Sequence, residues 1–143
     1  MKFGPYVATQ YSTSADKEKF AKQFVRFVEG GFKPTQFPKW FYNRLNGCFG
    51  HIAHFNQGGF YDVWFSSKTR QRDFLLNAVR HPCYGDPAFT YSDVERQIGQ
   101  WIEASGLISK LNTEIAWANE ASERAELARL KGKYEGETNG KPN

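Results

Sequence analysis

Apolar residues recur at helical spacing through most of the chain. Phe20, Phe24, Phe27 and Val28 form one stripe, three and four residues apart as a half-buried helix requires. Thr13 followed by Asp16 predicts a capping box at the start of that helix, and Gly30-Gly31 predicts a left-handed stop after Glu29. Residues 1–12 read as an extended arm carrying Phe3, Tyr6 and Tyr11. Phe37, Phe41 and Leu45 mark the inward side of a short helix over 39–46, begun by Pro38 and stopped by Gly47. Trp40 and Arg44, four apart, share another side of it; Trp40 is assigned to core packing, with a stacking role as the alternative. Phe74, Leu75, Ala78 and Val79 form a further stripe. Ser66 or Ser67 suits its N-cap, and His81-Pro82 ends it. Ser92 with Glu95 predicts a second capping box, ahead of Val94, Ile98, Trp101 and Ile102. Ser105-Gly106 breaks that helix, and a long one follows over about 108–134. Its second part is rich in Ala and charge, so it projects, pairs with another helix or frays.

One stretch departs from this period. Residues 49–55 and 60–65, FGHIAHF and FYDVWF, are crowded with aromatic and β-branched residues, as strands are. Between them stands Asn56-Gln57-Gly58-Gly59, whose glycines suit a tight turn. The pattern predicts a β-hairpin. Pairing Phe55 with Phe60 sets His51 and Asp62 as diagonal neighbours beside Trp64 on one face. A lone hairpin is marginally stable, so helices must cover it. The expected fold is therefore α+β: an antiparallel hairpin of two or three strands with about five helices, the last one long. It forms a single domain over 1–135 with a disordered tail at 136–143.

Composition narrows the classes. The 143 residues are 17% aromatic with 13 Phe, so the core is built on rings. No 18-residue apolar run occurs in the sequence, which excludes a membrane-spanning helix. MKFGPYVATQ lacks the apolar centre of a secretory signal, and two cysteines make no disulfide scaffold; a cytoplasmic location follows by default. Net charge is +4. Residues 1–90 hold 12 Lys/Arg against 6 Asp/Glu, and residues 91–143 hold 7 against 9. An anionic partner would therefore meet the first part.

The charge pattern singles out the helix after the hairpin. Lys68, Arg70 and Arg72 crowd its first turns with Asp73 as the nearby acid. Cations at a helix N-terminus are unfavourable by about 0.3–1 kcal/mol each at low salt. Free N–H groups, the hydroxyls of Ser66, Ser67 and Thr69, and the three cations would suit a phosphate or an acidic partner. The plain alternative is a solvated basic face paired with acids elsewhere.

All three His and both Cys fall between 48 and 83. Cys48, His54, His81 and Cys83 would hold zinc only if the loop after the helix folds back onto the hairpin. There is no Cys-x-x-Cys, and His81-Pro82-Cys83 is not a standard ligand pair, so no metal is assigned; buried thiols and hydrogen-bonded histidines are the plain reading. The order strand, hairpin, strand, helix resembles the ββα-metal architecture of HNH-type nucleases. The resemblance covers about 30 residues and implies His51 or His54 as base, with Asn77 and His81 on the helix beside a divalent metal. Gly50 and Ala53 stand where that family has an acidic ligand. A helix-turn-helix around Gly106 is excluded, because Asn112 falls where an apolar residue must pack and the segment is acidic. No phosphate-binding glycine loop, Ser–His–Asp motif or dinucleotide fingerprint is present, and no cofactor is assigned.

The reading that results is a small non-enzymatic protein whose basic hairpin–helix face engages nucleic acid. Lys68, Arg70 and Arg72 would meet phosphates, and Trp64, His51 and Phe55 would offer stacking surface. Two alternatives stand beside it. One is a protein-binding inhibitor or adaptor, such as a phage- or plasmid-encoded antagonist of a host nucleic-acid or defence enzyme, with an acidic partner surface and a homodimer contact through the long helix. The other is the ββα-metal nuclease.

Overall fold

The computed structural model describes residues 2–49, 56–80 and 85–140. Six α-helices run in order among them: α1 Ser14–Glu29, α2 Lys39–Phe49, α3 Gln57–Trp64, α4 Lys68–Arg80, α5 Ser92–Ser105 and α6 Leu107–Gly140. A 3-10 turn, Pro34–Gln36, precedes α2. No strand occurs among the described residues. The expected α+β fold with its β-hairpin is thus overturned: the described residues are helical, without sheet or hairpin.

The second predicted strand is α3. Asn56 caps it, its side-chain oxygen accepting from the Gly59 N–H at 2.7 Å. Gly58 and Gly59 therefore sit in the first turn of a helix and not in a hairpin bend. Phe60 and Phe65 are buried, and Tyr61 and Trp64 are half-buried against the core. Positions 60, 61, 64 and 65 make one helical face. Over six residues that hold four aromatic rings, periods of 2 and 3.6 cannot be told apart, and the cap decides. The predicted first strand begins with Phe49, which is the last residue of α2; residues 50–55 lie outside the described residues. α2 also runs through Gly47, where the sequence predicts a stop.

The helical stripes are placed as expected. In α1, Thr13 and Asp16 close the capping box: the Thr13 hydroxyl accepts from the Asp16 N–H at 3.0 Å, and the Asp16 carboxylate accepts from the Thr13 N–H at 2.9 Å. The C-terminus ends in a Schellman motif. Gly31 N–H donates to Val28 O at 3.2 Å, Phe32 N–H donates to Phe27 O at 2.9 Å, and Gly31 has φ +87°. Phe32 is left-handed as well, at φ +60°, a costly conformation for a bulky residue. Its ring lies 5.6 Å from Phe65, and its carbonyl accepts from the Tyr61 hydroxyl at 2.6 Å. Phe27 stands at the centre of the rings, 4.9 Å from Phe65, 5.3 Å from Phe37 and 5.6 Å from Phe41. Such pairs add about 0.5–1.5 kcal/mol each beyond the area they bury.

A buried cation ties the two halves of the chain together. Lys17 is fully buried; three residues before Phe20 and seven before Phe24, it lies on the stripe side of α1. Its ammonium donates to Pro87 O, Thr90 O and Asp93 Oδ1, each at 2.9 Å. These partners belong to the approach to α5 and its first turn. Ser92, expected as the cap of α5, is instead its first residue and buried; Tyr91 holds the cap position without a side-chain bond. The N-terminal arm lies over the same end. Val7 N–H donates to Asp93 Oδ2 at 3.0 Å, and the Tyr6 hydroxyl donates to Gln97. Burial, and then the Asp93 and Glu18 charges, push the Tyr6 phenol well up from its usual range.

Gly106, at φ +71°, turns the chain from α5 into α6. α6 docks on α4 and α5 through Leu107, Ile108 and Leu111. From Ala116 to Glu135 it carries no buried residue, and only Leu130 is half-buried. Its 34 residues span roughly 50 Å at the helical rise.

Candidate nucleic-acid interface

The cations predicted at the start of α4 are there, but they are engaged. Ser67 caps the helix, its hydroxyl accepting from the Arg70 N–H at 3.2 Å. The Ser66 hydroxyl donates to Asp62 O. Lys68 pairs with Glu114 of α6 at 3.1 Å. Arg72 pairs with Asp73 at 3.3 Å and donates to Asn112 Oδ1 at 3.1 Å. The Arg70 guanidinium lies 6.0 Å from the centre of the Trp64 ring. Of the three cations, Lys68 is paired by α6 and Arg72 by its neighbour Asp73, while Arg70 has no ion pair among the described residues. Beside α6 lies an open groove of about 430 Å³ with Val28, Phe32, Leu107 and Leu111 on its apolar side and Lys68, Lys110 and Glu114 among its polar residues. Thr69 is exposed.

Trp64 is not an open stacking surface on a sheet. It is half-buried on α3 with its ring 6.2 Å from Phe74. Its Nε1 is buried and has no hydrogen-bond partner among the described residues. His51 and Phe55, the other proposed stacking residues, lie outside the described residues. So do His54, His81 and Cys83 of the zinc alternative. Cys48 is half-buried on α2 beside the core. No group of three or more His, Cys, Asp or Glu that could hold a metal occurs among the described residues. Asn77, assigned by the nuclease resemblance to a metal, donates to Asp73 O one helical turn back at 2.9 Å. That resemblance rested on a strand at 60–65, and the stretch is helical, so its ββα order is not present.

A different surface gathers cations around an exposed ring. α1 places Lys19, Lys22 and Arg26 three and four residues apart, on one side of the helix. α2 crosses beside them with Trp40 and Arg44. Trp40 is 38% exposed and stands at the surface, not in the core as expected. The Lys19 ammonium lies 4.3 Å from the centre of its ring, a cation–π contact. Two shallow clefts flank Trp40, each of about 290 Å³. One is lined by Lys19, Lys22, Arg26, Glu18 and Gln23. The other is lined by Tyr11, Ser12, Asp16, Lys19, Arg44 and Tyr91.

The electrostatics of this face differ from those of α4. None of the five ion pairs among the described residues involves Lys19, Lys22, Arg26, Lys39 or Arg44. Arg26 donates to Gln23 Oε1 at 2.9 Å. Arg44 lies over the Tyr91 ring at 4.5 Å. Asp16 and Glu18 are the acids of the two clefts; hydrogen bonds from Thr13, and then the Arg44 and Lys19 charges, hold the Asp16 carboxyl below the usual range. Lys19, Lys22, Arg26, Trp40 and Arg44 are all visible in the sequence as positions off the apolar stripes. What the sequence lacks is any sign that α1 and α2 bring them side by side.

No helix among the described residues is long and apolar enough to cross a membrane. Comparison with protein-family models, curated proteins and solved structures finds no match to this chain.

Proposed function

We propose that this protein binds nucleic acid, and that its phosphate-contacting surface is the α1–α2 face around Trp40. The observation that carries the reading is a group of cations without ion pairs among the described residues, Lys19, Lys22, Arg26 and Arg44, placed around an exposed aromatic ring. Lys19 and Arg44 stand near Asp16 but have no ion pair to break, whereas Lys68 and Arg72 must first give up Glu114 and Asp73. Each phosphate neutralised releases counterions, so affinity falls steeply with salt. The test is binding to DNA and RNA across a salt series, from about 50 mM upward. A Lys19/Lys22/Arg26→Ala variant should bind more weakly, and its salt slope should be shallower by about one for each phosphate it no longer neutralises. Lys68/Arg70/Arg72→Ala should change both less. Absence of binding by the wild-type protein at low salt would end the reading.

A second reading rests on α6. Trp117, Leu127 and Tyr134 are each more than half exposed on its projecting part. Large apolar residues held out on a helix suit a protein partner or a second copy. Sedimentation of the whole chain, compared with a chain ended after Ala118, tests it: a change of oligomeric state supports a helix contact.

A further inference from the structure

We infer that the cleft between Tyr11 and Tyr91 receives a nucleobase, so that the interface selects single strands over duplex. The inference rests on the nucleic-acid reading above and says which form of the polymer the site takes.

The argument starts with Tyr11. It is 85% exposed, the most exposed large apolar residue among the described ones, yet its backbone is held. Thr9 N–H donates to Ser12 O at 2.7 Å, and the Thr9 hydroxyl accepts from Ser12 N–H at 2.9 Å and from Tyr11 N–H at 3.2 Å. Ser12 is buried, and its side chain accepts from the Tyr91 hydroxyl at 2.9 Å. The turn is therefore anchored to the body, and it presents a ring to solvent at the edge of a cleft. Trp40 presents a second ring on the same cleft. Exposed rings beside cations are the components of a single-strand site, where each stacked base contributes and phosphates meet the cations. Lys19 and Arg44 are the cations here.

Asp16 favours a base over an acidic peptide. The Asp16 carboxylate accepts from Thr13 N–H at 2.9 Å and lines the cleft. It repels an acidic side chain, but a base edge carrying N–H donors hydrogen-bonds to it. In a duplex the base faces are covered by their neighbours and the donors are paired. The cleft is closed to them unless a base is unstacked.

The test is fluorescence anisotropy with labelled single strands and blunt-ended duplexes of equal length, as DNA and as RNA. The proteins are the wild type, Tyr11→Ala, Tyr11→Phe, Trp40→Leu and Lys19/Lys22/Arg26→Ala, each checked by circular dichroism. The wild type should prefer single strands. Tyr11→Ala should weaken single-strand binding about tenfold and leave duplex binding within about twofold. Tyr11→Phe should retain the affinity, and Trp40→Leu should behave as Tyr11→Ala. If the cation variant weakens both ligands while Tyr11→Ala and Trp40→Leu bind single strands as the wild type does, the phosphate surface stands and the base cleft is wrong. A wild-type preference for duplex also overturns it. If the wild type binds no nucleic acid, both readings fall.

Discussion

Lys17→Met is the perturbation that most directly probes the all-helical fold. The side chain is fully buried, and its three ammonium donors meet Pro87 O, Thr90 O and Asp93 Oδ1 at 2.9 Å each. Methionine fills most of the volume but donates nothing. Two carbonyls then go without a partner, at about 1–3 kcal/mol for each one left unsatisfied. Asp93 is deprived of its counter-charge but remains partly solvated, with 18% of its side chain exposed, and it keeps the N–H groups of Val7 and Val94. The carboxylate therefore adds only part of its full burial penalty. The total is about 3–5 kcal/mol, the usual cost of removing one partner from a buried pair. That is a large share of the roughly 5–15 kcal/mol by which such domains are stable. Urea unfolding followed by circular dichroism measures it, and the melting temperature should fall by about 10 °C or more. Asp93→Asn should cost less, because the asparagine oxygen still accepts from Lys17. A loss below about 1 kcal/mol for Lys17→Met would mean that the ammonium reaches water in solution, and the packing of α1 on the 85–93 segment would be wrong.

Two further outcomes follow from the same structure. Asp16 has its carboxyl held low by hydrogen bonds from Thr13. A depressed acid contributes stability above its unfolded value, about 3.9, and loses it as pH falls through the lower folded value. The difference in melting temperature between the wild type and Asp16→Ala should therefore be present at neutral pH and vanish in acid; a difference that does not change with pH counts against the capping box. A chain ended after Ala118 should keep the urea midpoint of the whole protein while losing helical signal, because no residue from 116 to 135 is buried. A clear drop in midpoint would show that the projecting part of α6 packs on the body.

The sequence by itself determined the helices whose stripes are long enough to show their period. Phe20, Phe24, Phe27 and Val28 mark α1, and Val94, Ile98, Trp101 and Ile102 mark α5, because an amphipathic helix repeats its burial every three to four residues. The caps at Thr13 and Ser67 are local chemistry and are legible for the same reason. The stretch at 60–65 was misread: its rings satisfy a strand and a helix alike, and the Asn56 cap, together with the packing of Phe60 and Phe65 into one core, selects the helix. The charged residues are legible in the sequence; most of their distant partners are not. Lys68 and Arg72 look free until α6 brings Glu114 and Asn112 from some forty residues away. Lys17 shares the stripe side of α1 with Phe20 and Phe24, but only the 87–93 segment supplies the oxygens that let its ammonium be buried. Lys19, Trp40 and Arg44 look unrelated until α2 crosses α1. Pairing and burial are relations between distant residues, and a one-dimensional pattern holds only the nearest of them.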